Sequence, residues 1–285
     1  MKLPAFEYAA PATLPEAIAL LDAAKGAARP LSGGQSLLPA MAYRLANPSL
    51  LVDLRNIPGL NRIDIDASGV RLGARVRWRD ILDDARLGVA HPLLRSAISH
   101  VAHYQIRNRG TVGGSLAHSD PAAEMPGIAV ACDATIEIEG KNGHREMAAT
   151  KFITGTLSTA LADDELIVAI RLPVWPVSRR WAFEEFSLRR GDFALAAVAI
   201  FFDLDKDGRI RNPHIGVIGA CDRPHRLLRC EAVLAGARPG ELVMSEVERA
   251  AESDLDPPSD LHASADYRRS LAVTLLERAL SEAIR

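Results

Sequence analysis

Two short glycine-bearing stretches, Ser32-Gly33-Gly34-Gln35-Ser36 and Thr111-Val112-Gly113-Gly114-Ser115, constrain this 285-residue chain more than any other feature. Glycine lacks a Cβ and tolerates positive φ, so successive amides beside it can converge on one anion. Ser36 and Ser115 add hydroxyl donors, and a helix beginning at Leu37 would direct its first N–H groups the same way. Either stretch alone also reads as an ordinary strand-to-helix turn. Neither fits the P-loop pattern G-x-x-x-x-G-K-[ST] or the G-x-G-x-x-G of a dinucleotide fold. The pair is therefore expected to hold a phosphate-bearing ligand on two separate loops, outside the common nucleotide motifs.

Between and around these loops the chain alternates short strands and helices. Residues 13–27 read as an amphipathic helix, with Thr13 and Glu16 at capping-box spacing and Ile18, Leu20, Leu21 and Ala24 on one face. A strand through Arg29, Pro30 and Leu31 leads into the first loop. Leu37–Leu45 reads as a helix stopped by Asn47-Pro48, and residues 50–54 as a buried strand. Ile63–Asp66 and Val70–Val76 suggest a hairpin, followed by helices over Trp78–Arg86 and Pro92–Ala102. After the second loop, Pro121 and Pro126 bracket a short helical segment. A second hairpin spans Ala134–Glu139 and His144–Met147, and Leu166–Leu172 is an extended run. Pro173, Pro176 and Ser178 mark a linker. Beyond it, Trp181–Arg189, Phe193–Leu204 and Arg209–Ile218 read as three antiparallel strands, with helices at Leu227–Leu234, Glu241–Ser253 and Asp266–Ile284. Strands followed by helices indicate an α+β unit.

Composition narrows the function classes. Charged residues make up 25% and the formal net charge is -2, so no global field favours nucleic acid or an anionic membrane. The longest apolar run, Phe193–Phe202, is about half of the roughly 20 residues of a membrane helix and reads as a buried strand. The N-terminus has one Lys, no apolar core and Pro at position 4, unlike a secretory signal, and a cytoplasmic protein with no membrane span is expected. Cys132, Cys221 and Cys230 are dispersed. A [2Fe-2S] centre normally takes four thiolates, so any such cluster must sit on another polypeptide. Asp203-Leu-Asp205-Lys-Asp207-Gly208 imitates the start of an EF-hand loop, but His214 stands where a bidentate Glu is required, and a hairpin turn is expected instead. No His or Cys spacing suggests another metal site or a nucleophile triad.

LSGGQSLLPAM (31–41), LVDLRNIPGL (51–60), RNRGTVGGSLAHSDPAAEMP (107–126) and RRGDFALAAVA (189–199) occur in this order. Together they resemble the FAD-binding medium subunit of molybdenum hydroxylases, the family of carbon monoxide dehydrogenase and xanthine dehydrogenase. The resemblance implies a two-part FAD-binding domain of the vanillyl-alcohol-oxidase (PCMH) type at 1–175, with subdomains at about 1–55 and 56–175. A smaller C-terminal α+β domain at 179–285 would contain the three-stranded antiparallel sheet and the helices. The implied FAD contacts fall on Arg29, Pro30, Leu31, Ser32, Gly33, Gly34, Gln35, Ser36 and Leu37, then on Thr111, Gly114, Ser115, Ala117, Ala123 and Glu124, and finally on Ile167, Asp192 and Phe193. Glu124 is expected to accept hydrogen bonds from cofactor hydroxyls, helix capping being its bland alternative. Phe193 is expected near the isoalloxazine or, equally, in the core. Relatives often carry Lys where this chain has Glu185, which puts that contact in doubt.

The same resemblance implies electron transfer without a catalytic residue on this chain. The FAD would take electrons from [2Fe-2S] clusters on a small partner subunit and pass them to NAD or a quinone. A large partner would hold the molybdenum cofactor, the whole forming a dimer of heterotrimers. Two rivals are a self-sufficient FAD-dependent oxidoreductase with its own small substrate and a structural or regulatory paralogue that has lost FAD.

Overall fold

The computed structural model describes residues 2–285. The capping box at Thr13 forms as the spacing requires: its hydroxyl accepts from the Glu16 amide, and the Glu16 carboxylate accepts from the Thr13 amide. The helix Leu14–Ala24 that follows buries Ala17 and Leu21 against a parallel three-stranded sheet. In this sheet Leu50–Asp53 lies between Glu7–Ala9 and Ala28–Leu31. Parallel pairing puts the ends of Ala28–Leu31 and Leu50–Asp53 side by side, with Leu31 opposite Asp53. The first glycine loop leaves from that edge.

A second sheet is antiparallel, in the order Ile63–Asp66, Gly69–Gly73, Leu166–Leu172, Thr135–Gly140, Gly143–Ala148. Its central strand, Leu166–Leu172, divides its apolar side chains between two cores. Leu166 and Val168 pack with the first sheet, while Ile167, Ile170 and Leu172 join the largest core with Leu93, Leu94, Leu116 and Ile128. One strand therefore contributes to both cores.

Two helices near the second loop differ from the sequence expectation. The stretch after Thr111 is a helix, Val112–His118, with the Thr111 hydroxyl accepting from the Gly114 amide as its cap. The segment bracketed by Pro121 and Pro126 is not a separate helix. The helix runs Glu124–Ala131, and Pro126 sits in its first turn, where a missing N–H costs nothing. All eight of its residues are buried, so no polar face exists to give a period.

The C-terminal sheet has four strands rather than the expected three: Arg180–Phe186, Ala196–Leu204, Ile210–Ile218 and His225–Arg226. The fourth pairs through only two residues, Arg226 with Gly216 and His225 with Val217, too short for any alternation to be read. The apolar run at Phe193–Phe202 becomes a strand from Ala196, buried on both faces. Ala197, Ala199 and Phe201 enter the largest core; Ala196, Val198, Ile200 and Phe202 face the helices Leu228–Leu234, Met244–Asp254 and Ala265–Ile284. Trp175, in the linker, is buried with its ring centroid 4.5 Å from His91 and 5.1 Å from Phe201. Asp205 closes the EF-hand-like stretch as a turn, its carboxylate accepting from the amides of Asp207 and Arg209 and from Arg211 Nε. Among the described residues no helix is long and apolar enough to cross a membrane.

Candidate functional site

The two glycine loops meet. Ser32 Oγ lies 3.0 Å from Thr111 Oγ1, and the Cα of Gly33 presses so closely on the main chain that an added Cβ would fall 2.2 Å from the Arg109 carbonyl oxygen. Gly33 is thus required by contact between the loops. Gly34, at φ +73°, supplies the left-handed turn that follows.

The loops are not chemically equivalent. In the second, every amide from Val112 to Ser115 is used internally: Val112 donates to the Val76 carbonyl, Gly113 to Ala74, Gly114 to the Thr111 hydroxyl and Ser115 to the Thr111 carbonyl. Gly113 is glycine because the helix start bears on Ala74, whose Cβ would lie 2.6 Å from a new Cβ. In the first loop, the amides of Gly33, Gly34, Gln35 and Ser36 find no acceptor among the described residues, and the Ser36 hydroxyl makes no cap bond. Consecutive unpaired donors around a left-handed glycine form an anion nest. A diphosphate fits this arrangement, and the second loop acts as its rigid support.

The other expected contacts separate into groups. Arg29, Pro30 and Leu31 belong to the strand rather than the loop, and the Arg29 guanidinium is tied back to the carbonyls of Gly26 and Ala28. Leu37 opens a six-residue helix. Ala117 is exposed on the helix after Thr111, whereas Ala123 and Ile167 are buried. Asp192 and Phe193 lie on an exposed loop. Phe193 is 62% accessible, which removes the core-packing reading. Arg107 donates to the carbonyls of Val101 and Ala102 and is structural.

Glu124 and Glu185 come together, a pairing the sequence did not announce. Glu124, the first residue of its helix, is buried; burial first, and then the charge of Glu185, push its carboxyl up to about 8. Near neutrality it therefore holds a proton and can donate as well as accept, beyond the acceptor role expected of it. The Glu185 side chain is 3% exposed, with Oε1 3.6 Å from His100 Nδ1 and Oε2 without a partner. The Ser119 hydroxyl is likewise buried and unpaired. Orphaned buried polar atoms are rare in a finished core and fit a ligand-binding wall.

The Glu124 shift makes a pH prediction. The folded chain keeps this proton up to about pH 8, while the unfolded chain releases it above the ordinary value of 4.5. Its contribution to stability is complete below pH 4.5 and is lost as pH rises through 8. In ligand-free protein the melting temperature should fall across that window, and Glu124→Gln should flatten the fall. An unchanged slope in the variant would remove Glu124 as its source.

Beside the loop seam is a cleft of about 220 Å³ lined by Ser32, Gly33, Asp53, Arg55, Arg75, Arg77, Asn108, Arg109 and Thr111. Among its arginines, Arg55 and Arg109 fall inside the motifs at 51–60 and 107–126 that carry the family resemblance. Arg75 and Arg77 follow a strand outside those motifs, and no sequence signal pointed to them.

Residues 4–175 match the family described as the FAD binding domain in molybdopterin dehydrogenase, and residues 181–283 match the CO dehydrogenase flavoprotein C-terminal domain. The nicotine 6-hydroxylase medium subunit of Paenarthrobacter nicotinovorans is 40% identical over 286 residues, covering 99% of each chain. Among solved structures, carbon monoxide dehydrogenase from Hydrogenophaga pseudoflava superposes with a TM-score of 0.95 at 35% identity, covering 99% of this chain and 98% of the other. Quinoline 2-oxidoreductase from Pseudomonas putida 86 gives 0.91 at 38% identity, with both chains fully covered. With both halves matched, the chain belongs to the family of FAD-binding medium subunits of molybdenum hydroxylases.

Proposed function

We propose that this chain is the electron-transferring FAD subunit of a heterotrimeric molybdenum hydroxylase. The observation that supports the reading most directly is the run of unpaired amides from Gly33 to Ser36, braced by a second loop whose own amides are satisfied. Bound FAD supplies redox chemistry that can couple one- and two-electron partners. The chain's residues bind and orient it. Gly33 to Ser36 hold the diphosphate, and Thr111, Gly114 and Ser115 back the same region. Glu124 exchanges hydrogen bonds with cofactor hydroxyls, and Ile167, Asp192 and Phe193 lie along the cofactor. Arg29, Pro30, Leu31, Leu37, Ala117 and Ala123 frame the site through the strand and helix ends that carry them.

In this reading the electrons arrive from [2Fe-2S] clusters on a small subunit and leave to an external acceptor such as NAD or a quinone. The molybdenum cofactor sits on a large subunit, and the assembly is a cytoplasmic dimer of heterotrimers. A chain with three cysteines cannot itself supply four thiolates, and all three are buried. Burial pushes the thiol of Cys221 up to about 11 and that of Cys230 up to about 12. We also infer that residues 1–175 form the FAD domain, in parts 1–55 and 56–175, with 179–285 as the C-terminal domain.

Purification from native cells tests the reading. The expected product is a complex containing flavin, iron and molybdenum, with this chain carrying the flavin after separation. A lone flavoprotein active on its own substrate, or a chain that takes up no FAD, would overturn it.

A further inference from the structure

Of the residues lining the arginine cleft, Asp53, Arg55, Arg75, Arg77, Asn108 and Arg109 belong to no contact so far assigned. Gly34, Gln35, Ser36, Gly114 and Ser115 do not line it, although Ser32, Gly33 and Thr111 bring it to the loop seam. Its charges do not balance. Asp53 is its only carboxylate, and it is already engaged by the Tyr8 hydroxyl at 2.8 Å, by the Arg55 amide at 2.9 Å and by Arg55 Nε at 2.7 Å. Among the described residues, Arg75, Arg77 and Arg109 have no acidic partner within ion-pair distance, so three guanidinium charges face one cleft uncompensated.

Arg75 is the most informative of them. One terminal nitrogen donates to the Arg55 carbonyl at 2.7 Å, which fixes the side chain, and its Nε is buried with no acceptor. Burial, and then the like charges of Arg77 and Arg55 against the pull of Asp53, hold Arg75 below the ordinary guanidinium value. A buried donor without an acceptor in a surplus of positive charge suits the binding of an anion. The cleft volume of about 220 Å³ equals roughly seven waters at ~30 Å³ each, the scale of a diphosphate.

We propose that this cleft is a phosphate-binding subsite in which Arg75, Arg77 and Arg109 neutralise the group and Ser32 and Thr111 complete its hydrogen bonds. The proposal deepens the FAD reading and rests on it only in part. The phosphate belongs either to the cofactor's own diphosphate or to a separate phosphate-bearing ligand beside it.

Calorimetric titration of the full chain with inorganic pyrophosphate, in flavin-free and FAD-loaded forms, tests the subsite. The flavin-free chain should bind pyrophosphate saturably, and raised salt should weaken the binding. Arg77→Gln, an exposed position that does not endanger folding, should lower affinity about tenfold, and Arg75→Met at least as much. If loading with FAD abolishes pyrophosphate binding, the cleft serves the cofactor's diphosphate; if binding persists, it serves a separate ligand. Absence of saturable binding in both forms, or affinity unchanged in Arg77→Gln and Arg75→Met, overturns the proposal. Flavin absorbance of the wild-type chain is read independently, so a chain that fails to take FAD is recognised apart from a failed subsite.

Discussion

Gly33→Ala should strip the purified protein of most of its flavin, to about a tenth or less of the wild-type content, because the new methyl carbon has nowhere to go. It would lie 2.2 Å from the Arg109 carbonyl oxygen and 3.0 Å from the Gly110 Cα, atoms of main chain that no rotamer change can move aside. Relieving the clash means parting the two loops, at an overpacking cost of about 1–3 kcal/mol. That separation also breaks the Ser32–Thr111 contact and displaces the free amides from their support. Gly34→Ala makes the right comparison. Its Cβ would meet only the flexible ends of Leu31 and Leu38 at 3.1–3.3 Å, so its penalty is the left-handed backbone, about 1–2 kcal/mol. Flavin content should follow the order wild type, Gly34→Ala, Gly33→Ala. Wild-type flavin in Gly33→Ala would show that the loops do not need to touch.

Arg268→Met should destabilise the chain by about 3 kcal/mol, seen as a lower denaturant midpoint with an unchanged slope. Arg268 is buried on the helix Ala265–Ile284 and donates to the carbonyls of Leu195 and Gly219, at 2.7 and 2.9 Å, and to Asp260 at 2.7 Å. Met keeps the aliphatic length and leaves both buried carbonyls unpaired. The effect reaches the functional region, because the Gly219 amide donates to the Pro121 carbonyl in the segment leading to Glu124. Asp260 adds a pH signature. Partial burial raises its carboxyl, but the Arg268 hydrogen bond and the amides of His262 and Ala263 outweigh this and hold it at about 2. Its contribution is present above the ordinary value of 3.8 and is lost as pH falls towards 2. Arg268→Met should remove much of that acid-side loss. A midpoint within error of wild type would mean that water replaces the guanidinium at no cost.

The sequence made legible whatever depended on local spacing. Thr13 and Glu16 announced a capping box, and Leu166–Leu172 an extended run. What it concealed depended on partners distant along the chain. Nothing near Val112 or Gly113 reveals that their amides are consumed by Val76 and Ala74, so the unequal chemistry of the loops was invisible. The helix Glu124–Ala131 was masked by Pro126 and by burial on every side. Glu185 stood out only as an unexpected acid; its burial beside His100 and its charge on Glu124 required the sheet to bring position 185 across to position 124. Arg55 lies some twenty residues before Arg75 and Arg77 and joins them only in the folded cleft.

The strand Ala196–Leu204 has one further consequence, for how such chains can diversify. Its alanines at 196, 197 and 199 let layers on both sides approach closely, so one short segment is a template for two interiors. Each interior fixes the small residues on its own face, and neither can be redrawn without the other. Exchanging the carboxyl-terminal third between relatives would therefore bring a foreign surface against the native helices beneath it. The two matched regions, although recognisable apart, are expected to be inherited as a single unit.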